Sequence, residues 1–163
     1  MAKRLFVGVL GHRKAGKSTT WYELFGHAVR RGKNARQLIL IKESAAEVFV
    51  VSGSFEERGE YADEGLDKQD ARIVLCSIQY NEEGLNTIDY AFKNGFDVFI
   101  QWLNPGYHDE TDYFDRLGLV NSVLARGGTF AIRDGKGSLR NRVREIREFI
   151  FGWAAYRGLL GQA

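Results

Sequence analysis

The sequence predicts an α/β fold. A mostly parallel sheet of six strands, with one antiparallel hairpin strand, carries helices on both faces in a single domain, 1–163. Three observations support this. Short apolar runs rich in β-formers alternate with stretches of helical period. Two successive runs, at 37–41 and 48–51, are too close to hold a helix between them. Glycines stand where several helical stretches stop. Ligands of such sheets bind beyond the C-terminal strand ends.

The elements follow in order. Leu5 to Leu10 is a buried strand. Trp21, Leu24, Phe25, Ala28 and Val29 then fall at i, i+3, i+4, i+7 and i+8, one face of a helix that stops at Gly32. Gln37–Ile41 and Val48–Val51 pair as a hairpin across 42–46. Gly53 to Asp70 is polar and contains a short helix. Ile73 to Ile78 is a strand; Asn81 to Asn94 is a helix with Leu85, Ile88 and Ala91/Phe92 on one face, ending at Gly95. Phe96 to Ile100 is a strand leading to Trp102-Leu103-Asn104-Pro105-Gly106, a turn with the only proline. Asp109 to Leu124 is expected as a helix and Gly128 to Ile132 as the last strand. After the loop at 133–137, Ser138 caps a final helix with Val143, Ile146, Phe149/Ile150 and Trp153 on one stripe.

The first strand and helix are joined by Gly11-His12-Arg13-Lys14-Ala15-Gly16-Lys17-Ser18: a glycine, four residues, then Gly-Lys-Ser. In a strand-to-helix connection this spacing makes an anion cradle from backbone N–H groups and the helix N-terminus. Gly11 and Gly16 permit close backbone approach. This octapeptide resembles the Walker A motif of P-loop NTPases. The resemblance implies a three-layer α/β/α P-loop NTPase fold that binds ATP or GTP with Mg²⁺ through 11–19, including Thr19. Lys17 would reach the β- and γ-phosphates and Ser18 would ligate Mg²⁺. Arg13 and Lys14 add charge on the phosphates, and His12 faces the nucleotide or the solvent. The order of elements resembles the G domain of Ras-like GTPases.

Other motifs of those GTPases are absent. The loop 32–36 has no Thr, and no Asp-x-x-Gly follows the third strand, where Val51-Ser52-Gly53-Ser54-Phe55-Glu56-Glu57-Arg58 stands. Asn104 occupies the place of the asparagine in Asn-Lys-x-Asp, but the lysine and aspartate do not follow. Guanine reading by the usual carboxylate is thereby undermined. For the missing strand-end acid, Ser52 or Ser54 could hold a water on Mg²⁺; Glu56 or Glu57 could swing in or orient an attacking water.

The 163 residues carry a net charge of +2 and are 44% hydrophobic, enough for a sizeable core. Charge is uneven: net +9 over 1–42, −13 over 43–115 and +6 over 116–163. Two basic ends adjoining in space would frame a polyphosphate site. Aromatics are not interleaved with the basic residues, so nucleic acid is not favoured as a partner. No apolar run approaches the ~18 residues of a membrane span, and the N-terminus lacks a signal-peptide core. The single cysteine, Cys76, sits in an apolar run as a core thiol. These features point to the cytoplasm. His12, His27 and His108 show no metal-ligand spacing, and Asp109, Glu110, Asp112 and Asp115 read as a helix start. Phe151, Tyr156, Leu159 and Leu160 exceed the needs of one buried face, marking a protein partner or homodimer surface on the final helix.

Three functions fit. The first is a nucleoside-triphosphate-binding switch with slow ATPase or GTPase turnover, using Lys17, Glu56 and Glu57. The second is a P-loop kinase acting on a small molecule or polynucleotide end, with Glu43 or Glu47 as base and Arg133 and Arg140 as clamps. The third is a nucleotide-binding interaction module without turnover.

Overall fold

A computed structural model describes residues 3–29, 34–67 and 69–163. Its strands are β1 (Arg4–Gly11), β2 (Arg36–Ile39), β3 (Ser44–Val51), β4 (Ile73–Gln79), β5 (Phe96–Leu103), β6 (Thr129–Arg133) and β7 (Gly161–Gln162). The α-helices are α1 (Lys17–Phe25), α2 (Ala62–Leu66), α3 (Glu82–Lys93), α4 (Leu119–Ala125) and α5 (Leu139–Tyr156). The main sheet runs β2-β3-β4-β1-β5-β6. All neighbours on this path are parallel except the β2–β3 hairpin, and β7 adds a short antiparallel pairing to the start of β3.

The alternation along β1 sets the layers. Leu5, Val7 and Val9 point to one core with Trp21 and Leu24 of α1 and Val143, Ile146 and Ile150 of α5. Phe6 and Leu10 point to a second core with Ala62 and Leu66 of α2, Ile88 and Ala91 of α3, and Leu119 and Val123 of α4. A strand buried on both faces reads as a continuous apolar run, as β1 does. Helices α1 and α5 therefore share a face, which brings the two basic ends of the chain together. Cys76 is buried in the second core. No helix among the described residues is long and apolar enough to cross a membrane.

Four elements differ from the sequence reading. The first helix ends at Phe25, because Gly26 takes a left-handed φ of 79° and closes the helix with a bond to the Tyr22 carbonyl; Gly32 lies outside the described residues. The hairpin turns earlier, at 40–43, where Lys42 and Glu43 both hold φ 56°. The expected helix over 109–124 forms only from Leu119. Upstream, side chains hold the chain in a loop: Asn104 bonds both backbone groups of Tyr113, and Asp115 accepts from the Leu119 and Val120 amides. These local bonds outcompete helix formation. Finally, α5 stops at Tyr156; Leu159 and Leu160 fold back against the core before β7, while Tyr156 stays 87% exposed.

One glycine fixes how α3 meets the sheet. A Cβ on Gly84 would stand 2.0 Å from the Gln79 carbonyl oxygen. Gly84→Ala is expected to cost about 1–3 kcal/mol by overpacking, seen as a lower denaturant midpoint at unchanged slope. An unmoved midpoint would contradict this packing.

Candidate functional site

The parallel strands β1, β3, β4, β5 and β6 end on one edge of the sheet, and the loops after β1, β5 and β6 interlock there. Loop 12–16 turns through two left-handed residues, Lys14 (φ 62°) and Gly16 (φ 106°). Residues of alternating hand in this way gather N–H groups into a concavity. The N-terminus of α1 has no side-chain cap, so its first amides have no partner within the helix. Ala15 is the hub. Its carbonyl accepts from the Tyr107 amide at 2.9 Å, and Gly135 donates to the Pro105 carbonyl at 2.7 Å. Cβ atoms on Gly11 or Gly106 would come within 2.7 Å of the Ala15 Cβ, and one on Gly135 would lie 3.0 Å from its carbonyl. Only glycines let these three loops approach so closely.

Lys17 bends back over this loop. Its side chain is 6% exposed, and Nζ donates to the carbonyls of Gly11 (2.8 Å) and His12 (3.1 Å). The Glu57 carboxylate lies 3.5 Å from the same nitrogen. Burial pulls the Lys17 ammonium below the ordinary lysine value, and Glu57 opposes the shift. Glu57 is held in turn by the side chain of Gln79, at 2.8 Å.

Two clefts open on either side of residues 14–18. One, of about 390 Å³, is lined by Arg13, Lys14, Lys17, Ser18, Ser52, Gly53 and Glu57. The other, of about 530 Å³, is lined by Lys14, Gly16, Ser18, Thr19, Tyr107, His108, Lys136 and Arg142, with no Asp or Glu. A smaller acidic pocket of about 170 Å³ beside Glu56, Glu60 and Glu83 would repel polyphosphate.

The residues named from sequence thus divide. Gly11, Arg13, Lys14, Ala15, Gly16, Lys17, Ser18 and Thr19 form or line this region, and Glu57 joins them. Glu56 faces away: one oxygen accepts from the Thr87 hydroxyl at 2.6 Å and the other from the Gln79 amide at 3.2 Å. Asn104 spends both ends of its amide on the Tyr113 backbone. Ser54 is buried and accepts from the Glu57 amide. Glu43 and Glu47 lie in the hairpin turn and early β3, towards the opposite edge of the sheet. Arg133 pairs with Glu145, and Arg140 is exposed. The strand beside β1 on the hairpin side is β4, not β3, and it ends in Ser77 and Gln79 rather than an acid. Ser77 takes a bond from the Trp21 indole (2.8 Å) and gives one to the Ser52 carbonyl (2.7 Å), tying α1 to the end of β3.

His12 is wedged between Tyr113 (4.1 Å between ring centres) and Tyr80 (5.7 Å), and its Nε2 is buried without a partner. Burial holds its pKa below the ordinary histidine value; nearby Asp109 opposes this and Lys17 adds to it. Tyr80 stacks on Trp102 and bonds Asp115; burial, with that bond, pushes its phenol up to about 12.

Sequence reasoning missed Gly106, Gly135 and Arg142. Arg142 carried a signal: it lies four residues before Ile146 on the buried stripe of α5.

No protein-family model matches the chain, and no curated protein matches it in sequence.

The His12 environment has a pH consequence. A histidine whose pKa is lowered in the folded state binds fewer protons there than in the unfolded chain. Its stabilising effect is complete above the unfolded value near 6.5 and is lost as pH falls below it. Stability of the wild type is expected to fall more steeply than that of His12→Phe as pH drops from 6.5 towards 5. Parallel profiles in denaturant melts would contradict the assignment.

Proposed function

We propose that this chain binds a nucleoside 5′-triphosphate with Mg²⁺ through loop 11–18 and the start of α1, as a P-loop NTPase of slow turnover that works as a nucleotide-dependent switch. The observation that carries the reading is the posture of Lys17. Two of its three N–H donors are anchored on loop carbonyls. The third is left for a ligand in the concavity of uncapped amides, at the place where Glu57 now stands. The β- and γ-phosphates would take that donor and the free amides.

The donor set fits Mg²⁺ arriving with a nucleotide. Ser18 offers a hydroxyl and Glu57 a carboxylate across one cleft, while the described residues contain no cluster of acids or histidines able to hold a metal alone. Mg²⁺ characteristically takes one or two protein oxygens and completes its shell with phosphate and water. When bound it would neutralise charge on the phosphates. Glu57, held by Gln79, is the carboxylate placed to hold a water near the terminal phosphate. Glu56 supports that arrangement from behind by fixing the same turn to β4 and α3.

The wider cleft, lined by Tyr107 and His108, would take the nucleoside. It offers no carboxylate to pair with guanine, which favours ATP or weak base selection. The kinase alternative draws little support, since its proposed bases sit at the far edge of the sheet. Binding without turnover is favoured by one observation: both Glu56 oxygens are engaged, leaving Glu57 as the one nearby acid directed at the loop.

Calorimetry with ATP, GTP and Mg²⁺ tests this. Lys17→Ala should weaken binding by about 10- to 100-fold, the worth of one or two charged hydrogen bonds. No heat with either nucleotide in the wild type would end the nucleotide reading. Glu57→Gln should bind ATP more tightly, because a competitor for the ammonium is gone. Its hydrolysis should fall by about 100-fold. Unchanged phosphate release by Glu57→Gln would remove Glu57 from the chemistry.

A further inference from the structure

Arg142 does not match its surroundings. It is 5% exposed, yet no carboxylate pairs with it. Nη1 donates to the Thr20 hydroxyl, Nε is buried without a partner, and Nη2 faces Gly16, 3.5 Å from where a Cβ would stand. Burial alone pulls the guanidinium down to about 10, so it stays cationic at neutral pH. A buried cation without an anion is a liability that a hydrophobic side chain of similar size would remove. Arg142 lines the wider cleft with Lys14 and Lys136, and no acid lines that cleft. Thr20 connects it to the loop, because the hydroxyl that accepts from Arg142 donates to the Gly16 carbonyl at 2.9 Å.

We propose that Arg142 is the centre of a second anion site, which binds a phosphate group of the ligand on the nucleoside side of the loop, apart from the phosphates assigned to Lys17. The inference rests on the nucleotide reading above and adds the ligand group that completes it. The planar fork of an arginine suits two phosphate oxygens. Two sources offer that chemistry: the α-phosphate of any nucleoside triphosphate, or a phosphate esterified to the ribose. Lys136 and Lys14 at the same cleft supply charge for either.

The test compares wild type, Lys17→Ala, Arg142→Met, the double variant of these two, and Arg142→Lys. Thermal stability is measured with inorganic phosphate, and affinity with ATP and with adenosine 3′-phosphate 5′-triphosphate. Without ligand, Arg142→Met should melt at or above the wild-type temperature. Inorganic phosphate should still stabilise Lys17→Ala, should stabilise Arg142→Met less than wild type, and should not stabilise the Lys17→Ala, Arg142→Met double variant. If the α-phosphate is the ligand group, Arg142→Met weakens both nucleotides alike, by about tenfold or more. If the ribose phosphate is, the wild type prefers the 3′-phosphorylated nucleotide and Arg142→Met loses that preference alone. Should Arg142→Met fail to fold, Arg142→Lys, which keeps the charge and loses the fork, must show the same direction of loss. Equal response of wild type and both Arg142 variants to all three probes would overturn the proposal. If the wild type binds neither nucleotide, the nucleotide reading falls, and the inorganic phosphate comparison alone decides Arg142.

Discussion

A buried ammonium organises the loop end of this molecule. Lys17 is nearly sealed from water, and a buried charge is tolerated only where oxygen atoms replace its hydration. The carbonyls of Gly11 and His12 do so, and those two atoms lie at the exit of β1. The loop must therefore curl over the first turn of α1, where the Ala15 amide bonds the His12 carbonyl and the helix N-terminus carries no side-chain cap. The same charge holds Glu57, which belongs to the segment after β3, against the loop. One side chain thus couples the central strand, the first helix and the acidic segment between β3 and α2.

Around this charge the sheet supplies rigidity. β1 is confined by β4 and β5 along its edges and by a hydrophobic core on each face, so the loop's point of departure is fixed. The loops after β5 and β6 then close on Ala15 through glycines too small to hold them apart. The two sides of the loop differ in chemistry. Towards β3 there are hydroxyls, the Glu57 carboxylate and the cations Arg13, Lys17 and Arg58. Towards β5 and β6 there are Tyr107, His108 and the cations Lys136 and Arg142, with no carboxylate. In the function we propose, the first side takes the metal-bound terminal phosphate and the second the nucleoside.

Much of this was legible in the sequence because it is written in local patterns. The apolar runs gave the strands, their alternation with helical stretches gave the layers, and Gly-x4-Gly-Lys-Ser marked the loop. Ser138 announced its cap and accepts the Asn141 amide; Asn81, read as the first residue of a helix, is the N-cap of α3. What stayed hidden depends on contacts between distant segments. The placing of β4 between β1 and β3 follows from pairing register, which periodicity does not carry. The fates of Glu56 and Glu57, adjacent and chemically alike, separate only because Thr87 stands opposite one and Lys17 opposite the other. Asn104 and Asp115 draw the chain into a loop where composition favours a helix. The short β7 depends on Leu159 and Leu160 turning back onto the core, which a helical stripe alone does not disclose.

The central claim is that the amides of Lys14 and of Gly16 to Thr19 form one anion-binding surface, the Ala15 amide being held by the His12 carbonyl. Backbone amide spectra recorded during a titration with inorganic triphosphate and Mg²⁺ test it most directly. Large, saturable shifts confined to those amides, with smaller ones at Glu57 and Gln79, are the predicted result. Spectra in which those amides stay fixed while other regions move, or nothing moves at millimolar ligand, would contradict it.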